Sequence, residues 1–299
     1  MNVPRGIALL MLMTSSDNQL TTVVISYRAP RSLVESVASL LDQKPQCEII
    51  VVNSGGGGAG ALLSHAGLGG VKVVERAERL LPGAARNLGI DNARHRYIAF
   101  LADDCRAQPG WVAGRLVAHE RGAACVGSAV MCNKPMHPVA LASHLSLFVR
   151  RMPGIPVKDA LVYGASYDRR LFEAHGRFRE DLRAGEDTEF NARLPVQDKP
   201  QWLPEVRTVH RSPTTLKGFF ADQFRRGGRA ARVWKAMNAA SASSIARSAL
   251  TRLRYIFRLS GAGTEPGYRW VLALALPLAV CGVAVYAMGA LLRSQNKAD

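Results

Sequence analysis

The chain has 299 residues, 48% of them hydrophobic, and a formal net charge of +16. That is enough for one large α/β domain with an appendage and a sizeable core. The strong positive balance points to anionic partners: nucleic acid, an anionic membrane surface or an anionic substrate. Five cysteines (Cys47, Cys105, Cys125, Cys132 and Cys281) form no CxxC pair or regular framework, which excludes a disulfide scaffold and fits a reducing cytoplasm.

The first 17 residues, MNVPRGIALLMLMTSSD, hold only a short apolar run, Gly6–Met13, too short for a clear secretory signal. Residues 1–19 are therefore read as an N-terminal extension. Thr22–Ser26 is a β-branched run and predicts a buried strand. Arg31–Leu41 has apolar residues at 33, 34, 37, 40 and 41, a helical period. Glu48–Val52 predicts a second strand, which runs into Asn53-Ser54 and four glycines. That glycine run lacks the Lys-Ser/Thr of a P-loop and reads as a flexible loop. Val71–Val74 predicts a third strand, Pro82–Ala93 a helix with Pro near its start, and Tyr97–Leu101 a fourth strand. Strands alternating with helices imply βαβ units and a mostly parallel sheet.

The fourth strand ends abruptly in two carboxylates, Asp103 and Asp104. In an open α/β sheet, strand ends of this kind face the ligand crevice. Adjacent carboxylates repel unless a cation or donor shares the site, and a hard cation such as Mg²⁺ or Mn²⁺ takes such ligands together with substrate phosphates. A solvated turn is the other reading, since Asp is a common turn residue.

Beyond Trp111 the pattern is less regular. Ala124–Met131 predicts a strand, Ala140–Phe148 an apolar helix, Leu171–His175 a short helix, and Trp202–Val209 a late strand. Gly185 precedes Glu186-Asp187, which open a helix ending at Leu194 before Pro195. Phe219–Met237 predicts a basic helix broken at Gly227-Gly228.

From Arg211 to Arg269 there are twelve Lys or Arg against Asp222 and Glu265, +10 of the net charge. Next comes Trp270–Leu292, 23 residues without a charge. At about 1.5 Å per residue this spans a bilayer with some tilt. We expect one C-terminal transmembrane helix over 269–292, with a buried core helix as the other reading, preceded by a basic juxtamembrane segment over 236–268 that sits on anionic lipid, and followed by a short tail over 293–299. The positive-inside rule puts residues 1–268 on the cytoplasmic side, and a bacterial inner membrane is the expected location. No nucleic-acid partner is expected, because the basic segment lacks aromatics at base-stacking spacing.

These features line up in order: Ser26-Tyr27-Arg28, Asn53-Ser54, Ala102-Asp103-Asp104 and Gly185-Glu186-Asp187. Together with PGAARNLGIDNARHRYIAFLADDCRAQPGW (82–111) and VYGASYDRRLFEAHGRFREDLRAGEDTEFNARL (162–194), the set resembles the inverting family 2 glycosyltransferases. The resemblance implies a GT-A domain over 20–235, Rossmann-like, with a mostly parallel central sheet flanked by helices. It implies a nucleotide-sugar donor and a divalent metal (Mg²⁺ or Mn²⁺); the expected anchor and basic patch point to a lipid-linked or cell-surface glycan acceptor.

Residue by residue, Ala102-Asp103-Asp104 matches the family's DxD-like motif, with Ala102 where the family usually has Asp. The resemblance makes Asp104 the metal-holding carboxylate and puts Asp103 beside the ribose or sugar. Asn53 and Ser54 fall where acidic residues usually meet the base and ribose. Arg86 and Asn87 match an Arg-Asn pair beside the nucleotide, and Ser26, Tyr27 and Arg28 end the first strand of the donor site. Glu186-Asp187 matches the ED motif: Asp187 as general base, Glu186 as its orienter or the acceptor's. Helix capping is the alternative for these acids. His210 resembles the late metal-binding His of several GT-A enzymes. Arg226, with Arg225 and Arg229, clamps a diphosphate or faces lipid head groups. Gln223 and Arg226 keep the spacing of a QxxRW motif without its Trp, which argues against processivity. The rival readings are a nucleotidyltransferase and a catalytically degenerate membrane-tethered scaffold.

Overall fold

The computed structural model describes residues 19–162, 165–236 and 241–295. The extension expected over 1–19 lies outside them as far as residue 18, as do residues 237–240 and the last four of the tail. The strands are β1 (Leu20–Tyr27), β2 (Glu48–Ser54), β3 (Lys72–Arg76), β4 (Tyr97–Ala102), β5 (Cys105–Ala107), β6 (Cys125–Cys132), β7 (Ser166–Asp168) and β8 (Gln201–His210). The helices are α1 (Ser32–Leu41), α2 (Ala59–His65), α3 (Pro82–Asn92), α4 (Trp111–Glu120), α5 (Pro138–Phe148), α6 (Arg170–His175), α7 (Glu186–Arg193), α8 (Leu216–Ala236), α9 (Ala242–Gly263) and α10 (Leu272–Gln295). The strands form one sheet in the order β3-β2-β1-β4-β7-β6-β8-β5. The chain divides into two units, Met1–Ser128 with Val162–Val206, and Ala129–Leu161 with Arg207–Asp299.

In the first unit, β1 pairs in parallel with β2 and β4, and β2 with β3. The four strands expected from the βαβ pattern form this parallel part. β7, three residues with no periodicity to betray them, adds the antiparallel element beside β4 and β6. Successive side chains point to opposite faces of a strand. Val24, Val51 and Leu101 thus join α1's Leu33, Val37 and Leu40 on one face, while Val23, Ile50 and Phe100 join Ile90, Phe178 and Phe190 on the other. With both faces covered, the strands read as unbroken apolar runs. Each such side chain contributes about 1.5–3 kcal/mol by burial.

Below the sheet, Arg115 of α4 is fully buried. Its guanidinium lies 4.0 Å from the Trp111 ring centroid and donates to Ser128 Oγ at 2.8 Å and Ser166 Oγ at 3.2 Å. His119 stacks on Tyr97 and bonds Ala123 O at 2.7 Å and Ser166 Oγ at 2.9 Å. A carbonyl only accepts, so Nδ1 carries the proton and Nε2 accepts from Ser166. This network anchors the short strand β7.

In the second unit, α5, α8, α9 and α10 share a core of Leu141, Leu145, Phe219, Ile256, Ala275 and Ala279 with their neighbours. The expected break at Gly227-Gly228 does not occur: α8 is continuous from Leu216 to Ala236. The glycines serve close approach instead. A Cβ on Gly227 would lie 1.9 Å from Tyr286 O, and one on Gly289 would lie 2.3 Å from Phe224 O. The C-terminal helix appears where expected, and Pro266–Ser294 is the one stretch among the described residues long and apolar enough to cross a membrane.

Candidate active site

The parallel register brings three strand ends level. Ser26 pairs with Asn53 and Tyr27 with Ser54, while Ile25 pairs with Ala102. The residue after Ala102 is therefore next to Ser26. Ser26 Oγ donates to Asp103 Oδ2 at 2.8 Å, and Tyr27 N donates to the same oxygen at 3.3 Å. Burial raises the Asp103 carboxyl above its ordinary range; the Ser26 hydrogen bond opposes the rise and the Asp104 carboxylate beside it adds to it. Asp104 is half-buried, with the Cys105 thiol 3.4 Å from Oδ1. The turn that carries both acids hangs on α1: Ser36 donates to Cys105 O, and Ala107 N donates to Ser39 Oγ at 3.0 Å.

Asn53 is fully buried and both ends of its amide are engaged. Oδ1 accepts from Ala29 N at 3.0 Å and Nδ2 donates to Gly56 O at 2.8 Å. Arg28 N donates to Ser54 O at 2.9 Å. These bonds hold Arg28 and Ala29 at φ of 60° and 42°, which costs a side-chain-bearing residue about 1–3 kcal/mol. The glycine run Gly55–Gly58 lies wholly at positive φ, 64° to 98°, and Gly55 N is tied to Glu78 O at 3.0 Å. Asn53 is thus a clamp of this loop. The exposed Tyr27 ring is flanked by the guanidinium of Arg28 at 5.4 Å and of Arg79 at 5.2 Å. Nothing in the local spacing of Arg79 marks it for this place beside Tyr27.

On the other side of β4, Arg86 of α3 lies between the rings of Phe100, 5.5 Å away, and Phe178, 5.4 Å away. It forms a largely buried ion pair with Glu186. Asn87 bonds to Phe178 O at 2.9 Å, Glu180 Oε1 at 2.8 Å and Phe178 N at 3.1 Å. A Cβ on Gly83 would meet Arg179 O at 2.0 Å, so α3 rests directly on that backbone. The segment leading to Glu186-Asp187 is therefore suspended from α3. Asp187 is half-buried in the first turn of α7, with Oδ1 accepting from Thr188 N at 2.7 Å.

Eleven of the thirteen expected site residues lie in this first unit, and hydrogen bonds or an ion pair join Ser26 to Asp103, Arg28 to Ser54 and Arg86 to Glu186. His210 and Arg226 belong to the second unit. His210 is buried at the end of β8, its ring 4.8 Å from that of Phe148. Arg226 Nε pairs with Asp222 at 2.6 Å. Among the described residues no three His, Cys, Asp or Glu side chains group as a ready-made metal cage. The donor chemistry of Asp103 and Asp104 nonetheless fits a small hard cation. Such ions keep one or two carboxylates and take the rest of their shell from water and substrate phosphates.

The family model for glycosyl transferase family 2 matches residues 21–176. No curated protein matches the chain. Among solved structures, a mannosyltransferase from Pyrobaculum calidifontis, PcManGT, in complex with GDP-Man and Mn²⁺, is similar with a TM-score of 0.60 and 16% identity, over 98% of this chain and 94% of that one. S. aureus TarS 1–349 is similar with a TM-score of 0.51 and 13% identity, over 91% and 92%. The same fragment in complex with UDP-GlcNAc gives 0.51 and 11%, over 91% and 92%. At these identities the likeness shows the fold, GT-A.

Proposed function

The chain belongs to glycosyl transferase family 2 and is a glycosyltransferase, and from that premise we propose that it moves a sugar from a nucleotide-sugar donor to a lipid-linked or cell-surface glycan, with inversion at the anomeric carbon. The observation that carries this reading is the carboxylate pair Asp103-Asp104 at the end of β4, held beside Ser26 by the register of β1 and β4. Donor complexes of similar structures, with GDP-Man and with UDP-GlcNAc, support a nucleotide-sugar donor here.

In this reading Tyr27 offers the base an exposed ring, and Arg28 and Arg79 set a positive rim around it. Asn53 and Ser54 shape the loop that receives the nucleoside, and Asp103 meets the ribose or sugar. Asp104 holds Mg²⁺ or Mn²⁺; when bound, the ion offsets charge on the departing diphosphate. Asp187 accepts the proton of the acceptor hydroxyl. The hydroxyl oxygen forms the new bond to the anomeric carbon, the old bond to the diphosphate oxygen breaks, and its electron pair leaves with the nucleoside diphosphate. Glu186, neutralised by Arg86, orients α7 and its base, and Asn87 fixes the approach to it. The resemblance alone assigns His210 to the metal and Arg226 to the diphosphate.

Membrane attachment on the cytoplasmic side of a bacterial inner membrane completes the reading. It is supported by the apolar stretch Pro266–Ser294 and by the twelve basic residues against two acidic ones between Arg211 and Arg269, suited to anionic lipids. A single crossing and a seat on one leaflet are its two forms.

The test is donor binding to the detergent-solubilised full chain over a panel of sugar nucleotides, with and without Mn²⁺ or Mg²⁺. Metal-dependent binding that disappears in Asp104→Ala supports the donor site. Asp187→Asn should keep that binding and lower kcat by about a hundredfold or more. Binding to no donor would sink the proposal, and full activity in Asp187→Asn would sink its base.

A further inference from the structure

The apolar helix of the second unit is not a free-standing rod. Along α10, Ala275, Ala279, Val283, Tyr286 and Ala290 recur every third or fourth residue and are all buried. That face packs on α5, α8 and α9. α8 runs alongside in the same direction, since Phe219 meets Gly282 and Phe224 O meets Gly289. Over this stretch α8 carries Asp222, Arg225, Arg226 and Arg229. From α9, the Arg252 guanidinium sits 4.1 Å over the Tyr286 ring and donates to Ser146 O at 3.1 Å. If α10 crossed a bilayer it would either shed this packing or draw charged helices into the hydrocarbon beside it. Charged side chains at that depth are expensive.

The exposed faces suit a different seat. On α10, Leu274, Met288 and Leu292 are 57%, 49% and 50% exposed, and Cys281 is exposed between the first two. On α9, Arg247, Leu250, Arg254 and Phe257 are all exposed. Their spacing of three, four and three places them in one line along the helix. Guanidinium and apolar groups thus alternate on one stripe. Such a stripe matches the boundary of head groups and acyl chains, where arginine meets phosphate and Leu and Phe enter the apolar layer. The acid-poor composition of the segment selects an anionic leaflet as the occupant, in preference to a second copy of an equally basic chain.

We infer that the second unit is seated on one anionic leaflet through the Arg247–Leu250–Arg254–Phe257 stripe of α9, and that α10 does not cross. This rests on the membrane attachment proposed above.

The test uses the full chain with a C-terminal epitope tag, expressed in bacterial cells. Protease should remove the tag in inverted inner-membrane vesicles and leave it intact in spheroplasts. The reverse pattern means a crossing and overturns the inference. In parallel, the purified protein is sedimented with phosphatidylcholine vesicles containing about a third phosphatidylglycerol. Leu250→Glu with Phe257→Glu should lower the bound fraction about tenfold. Arg247→Glu with Arg254→Glu serves as a second variant in case the first melts early. Unchanged vesicle binding in both, or a change in self-association in place of vesicle binding, overturns it. Sugar-nucleotide binding is measured on the same samples. Its loss in the unaltered protein would count against the catalytic reading and leave the membrane result to stand separately.

Discussion

Ser26 donates its hydroxyl hydrogen to Asp103 across 2.8 Å, joining the ends of β1 and β4. The bond is the main force holding down the pKa of a carboxyl that burial pushes up. Ser26→Ala removes it, so Asp103 should take up its proton at higher pH. If Asp103 meets the donor as a carboxylate, as proposed, the acid limb of donor binding should move to higher pH. Donor affinity measured against pH in both proteins checks this; superimposable profiles would show that Asp103 does not govern binding.

Asn53 holds the strained Arg28-Ala29 turn with both ends of its amide. Asn53→Asp keeps the acceptor for Ala29 N but puts a carboxylate oxygen, unable to donate, against Gly56 O. Leaving these buried groups mismatched should cost about 1–3 kcal/mol. Urea denaturation would read the loss, and a variant as stable as the parent would mean that the loop is held by other bonds.

The Arg86–Glu186 pair is largely buried, at 17% and 6% side-chain exposure. Removing either partner leaves the other charge uncompensated, and Arg86→Ala or Glu186→Ala should each destabilise by about 3–5 kcal/mol. Replacing both by Met should recover most of that. A double-mutant cycle in chemical denaturation measures the coupling; additive losses would rule out a direct interaction.

His119 is held neutral: burial first, then the nearby Arg115 and Arg96, lowers its pKa from 6.5 to about 4, against the opposing bond to Ala123. The unfolded chain therefore binds a proton below pH 6.5 that the folded chain refuses until about pH 4. Stability from this site is full above pH 6.5 and is lost as the pH falls through that window. His144 acts in the same direction, lowered to about 3 by burial and then by His210. Melting temperature should fall steadily on acidification, and His119→Gln should flatten the slope between pH 4 and 6.5. An unchanged slope would remove His119 as its source.

Much of the site was legible in one dimension. Asp103-Asp104 and Glu186-Asp187 were visible because each interrupts or opens a periodic element, and the strand before and the helix after can be read locally. The hydrogen bonds of Asn53 and Asn87 were not. Both residues are expected beside the nucleotide, and the structure adds that backbone groups engage their amides, those of Asn87 some ninety positions away. Strand β7 escaped notice because three residues carry no usable period, and its place between β4 and β6 rests on Arg115 and His119 beneath it.

By itself, then, the chain's order of residues determined the alternating strands and helices, the acids at their ends and the long apolar helix, since all of these depend on neighbours within a few positions. Tertiary packing decided the rest. It set Ser26 beside Asp103 through strand register, turned the expected glycine break in α8 into a contact with α10, and covered one face of the apolar helix with three others. Contacts between residues far apart in sequence leave no local period to read; they exist only once the backbone has brought the surfaces together.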